Sequence, residues 1–142
     1  MTQTTNLTGS CFCRAVEYKL SLDSPDQARN SLCHCNNCKK AFGGDFGLTV
    51  KIPRAGLQVT KGEDVLTKFK DTKSSGVTRE FCSQCGSYIQ EYGEAAGDHT
   101  YLVWGSLDDH TALPPKGEFF CRYRSAWMPP IPDTFQKLEV KE

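Results

Sequence analysis

What this chain lacks narrows its possibilities before any motif is read. No stretch approaches the roughly 20 consecutive apolar residues of a membrane-spanning helix, so no membrane association is expected. Net charge is missing too, because seventeen Lys and Arg residues balance seventeen Asp and Glu. Such a chain has no general pull toward nucleic acid or anionic lipid, and it carries no basic arm to supply a local one. The opening Met1-Thr2-Gln3-Thr4-Thr5-Asn6 is polar and uncharged, with no apolar segment behind it. It does not resemble a secretory leader, so a cytoplasmic, reducing location is expected. Histidine is scarce, three in all, and His99 and His110 have no metal-ligand spacing. A Ser-His-Asp arrangement, a phosphate-binding glycine loop and a dinucleotide fingerprint are all absent. The acid pair Asp108-Asp109 suggests only a turn.

Helical periodicity is also largely missing. Apolar residues recur with period two, as in half-buried strands. The pattern is seen in Ala15-Val16-Glu17-Tyr18-Lys19-Leu20 and in runs at Gly47 to Ile52, Leu57 to Thr60, Val65 to Phe69 and Val77 to Phe81. Further runs cover Tyr88 to Tyr92, Tyr101 to Trp104 and Glu118 to Tyr123. Gly-, Pro- and Ser-rich turns separate them, which predicts an all-β fold of mainly antiparallel sheets. Short helical pieces are expected only after Pro25, after Cys35 and around Leu107 to Leu113. The segment Met128-Pro129-Pro130-Ile131-Pro132 lacks the donors a central strand requires. It reads as an extended tail, with Phe135 and Leu138 free to dock. With no repeat or linker in view, residues 1–142 are expected to form a single domain.

Cysteine is what the chain has in excess, eight residues in 142. A disulfide scaffold fits poorly with a reducing compartment, and metal binding is the expectation. Seven of the eight fall into three groups: Cys11-Phe12-Cys13, Cys33-His34-Cys35-Asn36-Asn37-Cys38, and Cys82-Ser83-Gln84-Cys85-Gly86. Residues i and i+2 of a strand share a face roughly 6.6 Å apart. Two thiolates on one tetrahedral zinc lie about 3.8 Å apart, a gap that a local kink closes. C-x-x-C wraps a turn around the ion more readily, and Gly86 suits that turn by accepting positive φ. The middle group supplies three corners of one tetrahedron, and the outer groups together supply four. Four thiolates saturate zinc in a structural site, whereas three leave a position free. Spacing alone leaves another outcome open: His34 or Cys121 completing the second site and closing both.

The combined motifs Gly9-Ser10-Cys11-Phe12-Cys13, Cys33 through Lys39, and Phe81-Cys82-Ser83-Gln84-Cys85-Gly86 resemble the glutathione-dependent formaldehyde-activating enzyme and centromere protein V family. The closing Arg124-Ser125-Ala126-Trp127 also fits, and the similarity runs from about residue 7 to 135. The resemblance implies a zinc-bearing β-tent fold. It further implies a structural zinc on Cys11, Cys13, Cys82 and Cys85, and a second zinc at a reactive site on Cys33, Cys35 and Cys38. Cys121 matches no ligand position and reads as a small buried strand residue. The activity implied is a carbon–sulfur lyase-type reaction on an adduct of a thiol, glutathione, with formaldehyde or a related electrophile.

Zinc held by three thiolates is formally negative, a weak Lewis acid better suited to a further sulfur ligand than to ionising water. Lys39, Lys40 and His34 lie close enough in sequence to offset that charge or to bind substrate carboxylates, and Arg124 and Trp127, with Tyr123, are candidates for a pocket wall. Asn36 and Asn37 are expected to satisfy backbone groups of the knuckle. Two other readings accompany this one: a different lyase or isomerase reaction at the same open zinc, and a non-catalytic zinc-stabilised interaction module.

Overall fold

The computed structural model describes residues 4–140. Period-two patterning is realised most plainly in β2 (Glu17–Leu22), where Tyr18, Leu20 and Leu22 are buried and Lys19 and Ser21 face out. β2 pairs antiparallel with β1 (Thr5–Ser10) and with β5 (Leu57–Lys61), giving a three-stranded sheet in the order β1-β2-β5.

A second, eight-stranded sheet carries the rest. Its strands are β3 (Arg29–Cys33), β4 (Gly47–Pro53), β6 (Leu66–Lys70), β7 (Thr78–Cys82), β8 (Tyr88–Tyr92), β9 (His99–Val103), β10 (Gly117–Phe119) and β11 (Phe135–Gln136), in the order β11-β10-β3-β4-β9-β8-β7-β6. All pairings are antiparallel except those of β10, which runs parallel to both β3 and β11. Tyr18, Leu20 and Leu22 from the small sheet, with Val16 just before it, join Val50, Ile52, Ile89 and Leu102 from the large one in a single core. Each such side chain contributes about 1.5–3 kcal/mol by leaving water. No second sheet covers the opposite face of the large sheet among the described residues.

Several expectations need correction. β1 and β3 are strands that patterning does not reveal. β1 is an edge strand with one apolar residue, Leu7. β3 buries Asn30, whose Nδ2 donates to Leu113 O at 2.5 Å, in place of an apolar side chain. The run from Leu107 to Leu113 is not helical. Asp109 Oδ1 accepts from both Thr111 N (2.9 Å) and Thr111 Oγ1 (2.6 Å), a local turn that competes with helix. After Pro25 the helical piece is a single 3-10 turn, whereas after Cys35 there is an α-helix, α1 (Asn36–Phe42). The run from Glu118 to Tyr123 stops being a strand at Phe119. Phe120 adopts a left-handed conformation (φ 55°), and Cys121–Tyr123 form a 3-10 turn. Cys121 is therefore a half-buried turn residue, not a buried strand residue.

Phe135 docks as expected, its ring over Gly117 and edge-on to Phe119 at 5.1 Å, while Leu138 stays half exposed. Among the described residues no helix is long and apolar enough to cross a membrane.

The turn entering residues 63–65 depends on Gly62, which has φ +82° and would place a Cβ 1.9 Å from Ala15 O. Gly62→Ala should lower stability by about 1–3 kcal/mol through the left-handed backbone alone, with the collision adding to it. The measurement is the urea midpoint, and an unchanged midpoint would refute this account of the turn.

Candidate functional site

Two turns of the chain meet at the first cysteine cluster. The β1–β2 turn is kinked by Arg14 (φ 64°) and closed by a hydrogen bond from Cys11 N to Val16 O at 3.0 Å, which brings Cys11 and Cys13 Sγ within 3.7 Å. The β7–β8 turn closes through Gly86 N to Cys82 O at 2.8 Å, and Gly86 has the positive φ (77°) its position suggests. Phe12 N donates to Ser87 Oγ at 2.9 Å, tying one turn to the other. Cys13 Sγ lies 3.8 Å from Cys82 Sγ, and all four sulfurs of Cys11, Cys13, Cys82 and Cys85 fall within 4.8 Å of one another. Those separations match the about 3.8 Å edge of a zinc–thiolate tetrahedron. Backbone donors support negative sulfur here, Val16 N to Cys11 Sγ at 3.2 Å and Gln84 N to Cys82 Sγ at 3.3 Å. Four sulfurs in this arrangement could hold a metal ion.

The second cluster stands where β3 gives way to α1. Cys33 ends the strand, Cys35 caps the helix, and Cys38 lies in its first turn. Cys35 Sγ accepts from Cys38 N at 3.4 Å, the capping role expected of an asparagine; Asn36 and Asn37 are instead exposed helix residues. Hydrogen bonds from Cys33 and Cys38 pull the Cys35 thiol down to about 2 against the opposing effect of burial. The bond with Cys35 pushes Cys33 up to about 12, and bonds to Cys33 and Cys35 together with burial raise Cys38.

The three sulfurs lie within 4.8 Å of one another, and no other His, Cys, Asp or Glu among the described residues joins them. His34 and Cys121, either of which could have closed the site, are turned elsewhere. His34 is fully buried, its Nε2 donating to Glu118 Oε1 at 2.6 Å. Cys121 Sγ lies 3.2 Å from an Arg124 guanidinium nitrogen.

The three cysteines border a cleft of about 800 Å³ on the open face of the large sheet. Its floor carries Ser31 and Cys33 from β3, Thr49 from β4, Tyr101 from β9, Glu91 from β8 and Arg79 from β7, with Phe119, Phe120 and Val140 along one side. None of the five expected substrate contacts lines it. His34 lies beneath the sheet on Glu118. Lys39 donates through Nζ to Tyr123 O at 2.8 Å and so clamps α1 to the closing segment. Lys40 is exposed on the helix surface. Arg124 is held by Glu118, Gln136 and Cys121. Trp127 is 75% exposed and stands apart from the cleft. Proximity in sequence to the cysteines does not bring a residue into the cleft, because strand–helix geometry alternates facing within a few residues.

The reading missed Arg79 and Glu91. They lie opposite each other across β7 and β8, with Tyr101 next in the same row. Each is a charged residue inside a strand run, and the pairing that unites them is invisible in one sequence.

A family model described as glutathione-dependent formaldehyde-activating enzyme matches residues 6–123. A protein of Colletotrichum graminicola is 31% identical over 91 residues, covering 64% of this chain and 45% of its own length. One from Talaromyces marneffei is also 31% identical, covering 64% and 46%. A Halomonas elongata protein is 27% identical over 115 residues, covering 78% and 71%. All three are provisionally named as glutathione-dependent formaldehyde-activating enzymes. The chain spans about half the length of the two fungal relatives. A crystal structure of a Rhodobacter sphaeroides protein shares the fold, with a TM-score of 0.57 at 22% identity over 72% of this chain and 88% of that one.

Beneath the open cluster, Glu118 is fully buried. Burial pushes its carboxyl up, but Ile131 N (2.9 Å), Gln136 Nε2 (2.7 Å), His34 and Arg124 outweigh that and hold it below the ordinary range. The folded state therefore binds fewer protons than the unfolded one, so this contribution is intact at neutral pH and is lost as pH falls below about 4.5. Glu118→Ala should cost about 3–5 kcal/mol at pH 7, as loss of one partner from a buried ion pair does. The gap from the unsubstituted protein should narrow as urea midpoints are followed from pH 7 toward pH 3; a constant gap would contradict the assignment.

Proposed function

The chain belongs to the glutathione-dependent formaldehyde-activating enzyme family, and from that premise we propose that it joins a small-molecule thiol, glutathione or a close relative, to formaldehyde or a similar small aldehyde. In the reverse direction the same step is a carbon–sulfur lyase reaction on the adduct. Its cofactor is zinc, one ion for each of the two cysteine clusters.

The observation that carries this reading is the inequality of those clusters. Four sulfurs surround one position completely, whereas three border a cleft and have no fourth protein donor among the described residues. Zinc at the second cluster, when bound, supplies a soft vacant position suited to holding a thiol as thiolate. Cys33, Cys35 and Cys38 orient that position toward the cleft, Cys35 through the cap that fixes its sulfur at the helix start. The cleft falls within the about 300–1,000 Å³ of ordinary small-molecule sites and has room for a tripeptide. Its aromatic side, with Phe119 and Phe120, offers apolar surface to a bound adduct. Eight free cysteines suit a reducing location, and the cytoplasm is proposed.

Two substitutions separate the roles. Cys85→Ser should remove one metal ion and with it much of the fold, since a structural zinc supplies on the order of 10 kcal/mol. Cys35→Ser should leave a folded protein with one ion fewer and activity lowered at least about 100-fold. Metal content, circular dichroism and turnover of glutathione with formaldehyde are the measurements. Equal effects on folding would end the division between a closed and an open site. In the cobalt-substituted protein, added glutathione should change the absorption spectrum; an unchanged spectrum at saturating thiol would refute thiol binding there.

A further inference from the structure

Thiol–aldehyde addition needs a proton moved twice, off the thiol and onto the aldehyde oxygen, and the cysteines cannot do this while they bind metal. We propose that Glu91 is the general acid–base of the cleft, accepting the proton of the incoming thiol and delivering it to the aldehyde oxygen. The proposal rests on the thiol–aldehyde reading above.

Glu91 is 8% exposed yet lines the cleft that the three cysteines border. Its two oxygens are treated unequally. Oε2 accepts from Tyr88 Oη at 2.9 Å and lies 3.5 Å from an Arg79 guanidinium nitrogen. Oε1 has no protein partner among the described residues. A carboxylate kept only to neutralise Arg79 would be expected to engage the guanidinium with both oxygens. Here one oxygen anchors the group and the other is left for a ligand.

The alternatives in the cleft are weaker. Glu94 is exposed, no histidine lines the space, and Lys39 and Lys40 lie outside it. The groups facing Glu91 are Tyr88 from its own strand, Arg79 from β7, Tyr101 from β9, Cys35 from the cap of α1, and Glu94 from the turn beyond β8. Burial raises the Glu91 carboxyl, and Tyr88 and Arg79 restrain the rise. The group is thereby shifted toward the pH at which it can both take and give a proton.

The proton balance closes on this one side chain. The S–H bond breaks and its proton passes to Oε1. The sulfur lone pair then forms the C–S bond, the carbonyl π pair moves to oxygen, and the Glu91 proton follows it. Thiol and aldehyde give the hydroxymethyl thioether with no oxidant, reductant or added acid, and the return path is the same in reverse.

The test compares the metal-loaded protein with Glu91→Gln and Tyr88→Phe. Glutathione–formaldehyde exchange is followed by NMR across a pH series, with glutathione binding to the cobalt form read separately by absorption. Glu91→Gln should keep metal content and thiol binding, lose exchange rate by at least about 100-fold, and lose one limb of the pH profile. Tyr88→Phe removes a hydrogen bond that favours the carboxylate, so it should move that limb to higher pH while retaining turnover. The Tyr88→Phe shift stands as the test should Glu91→Gln fail to fold. Unaltered exchange in Glu91→Gln, or an unmoved limb in Tyr88→Phe, would overturn the role of Glu91 and leave the family reading intact. Absence of exchange in the unsubstituted protein would overturn that reading, and this proposal with it.

Discussion

Four sulfurs drawn from two distant turns converge within 4.8 Å of one another, and the way the two sheets meet is tied to that convergence. Cys11 and Cys13 stand at the end of the small sheet and Cys82 and Cys85 at the end of the large one. Cys11 and Cys82 are buried in the same apolar cluster as Val16, Ile89 and Leu107. The junction is thus part of the core and does not hang from it. Fixing that end of β7 fixes β8 beside it, and β8 places Glu91 under the cleft with Tyr88 bonded to it.

The open cluster is supported differently. Its three sulfurs lie on the last residue of β3 and the first turn of α1, a short helix of seven residues that packs against the large sheet through Phe42 and Tyr88, ring centres 4.8 Å apart. Behind it, His34 and Glu118 connect β3 to β10 and to the segment that follows Pro130. A rigid backing on one side and a cleft on the other is the arrangement that a replaceable ligand requires.

How much of this could be read in the sequence depended on whether the signal was local. The cysteine partition was legible because ligand spacing is a local property and counting to four is a chemical rule. Strands with regular alternation, such as β2 and β9, were legible for a similar reason. β3 was not, since a buried asparagine bonded to Leu113 O replaces the apolar residue that patterning looks for. The expected substrate contacts do not line the cleft, because nearness to the cysteines in sequence is not nearness in space. His34 sits between two cluster residues and still faces the other way. Arg79 and Glu91 come together only through the pairing of β7 with β8, which one sequence does not disclose.

The closing segment has a further consequence. After pairing with β10, the chain continues along the edge of the cleft as far as Val140, which forms part of its border. That stretch lies outside the region matched by the family motif pattern, which ends at Tyr123. Two members could therefore share every clustered cysteine and still differ in the width of the doorway, since all seven precede Tyr123 while this part of the border follows it.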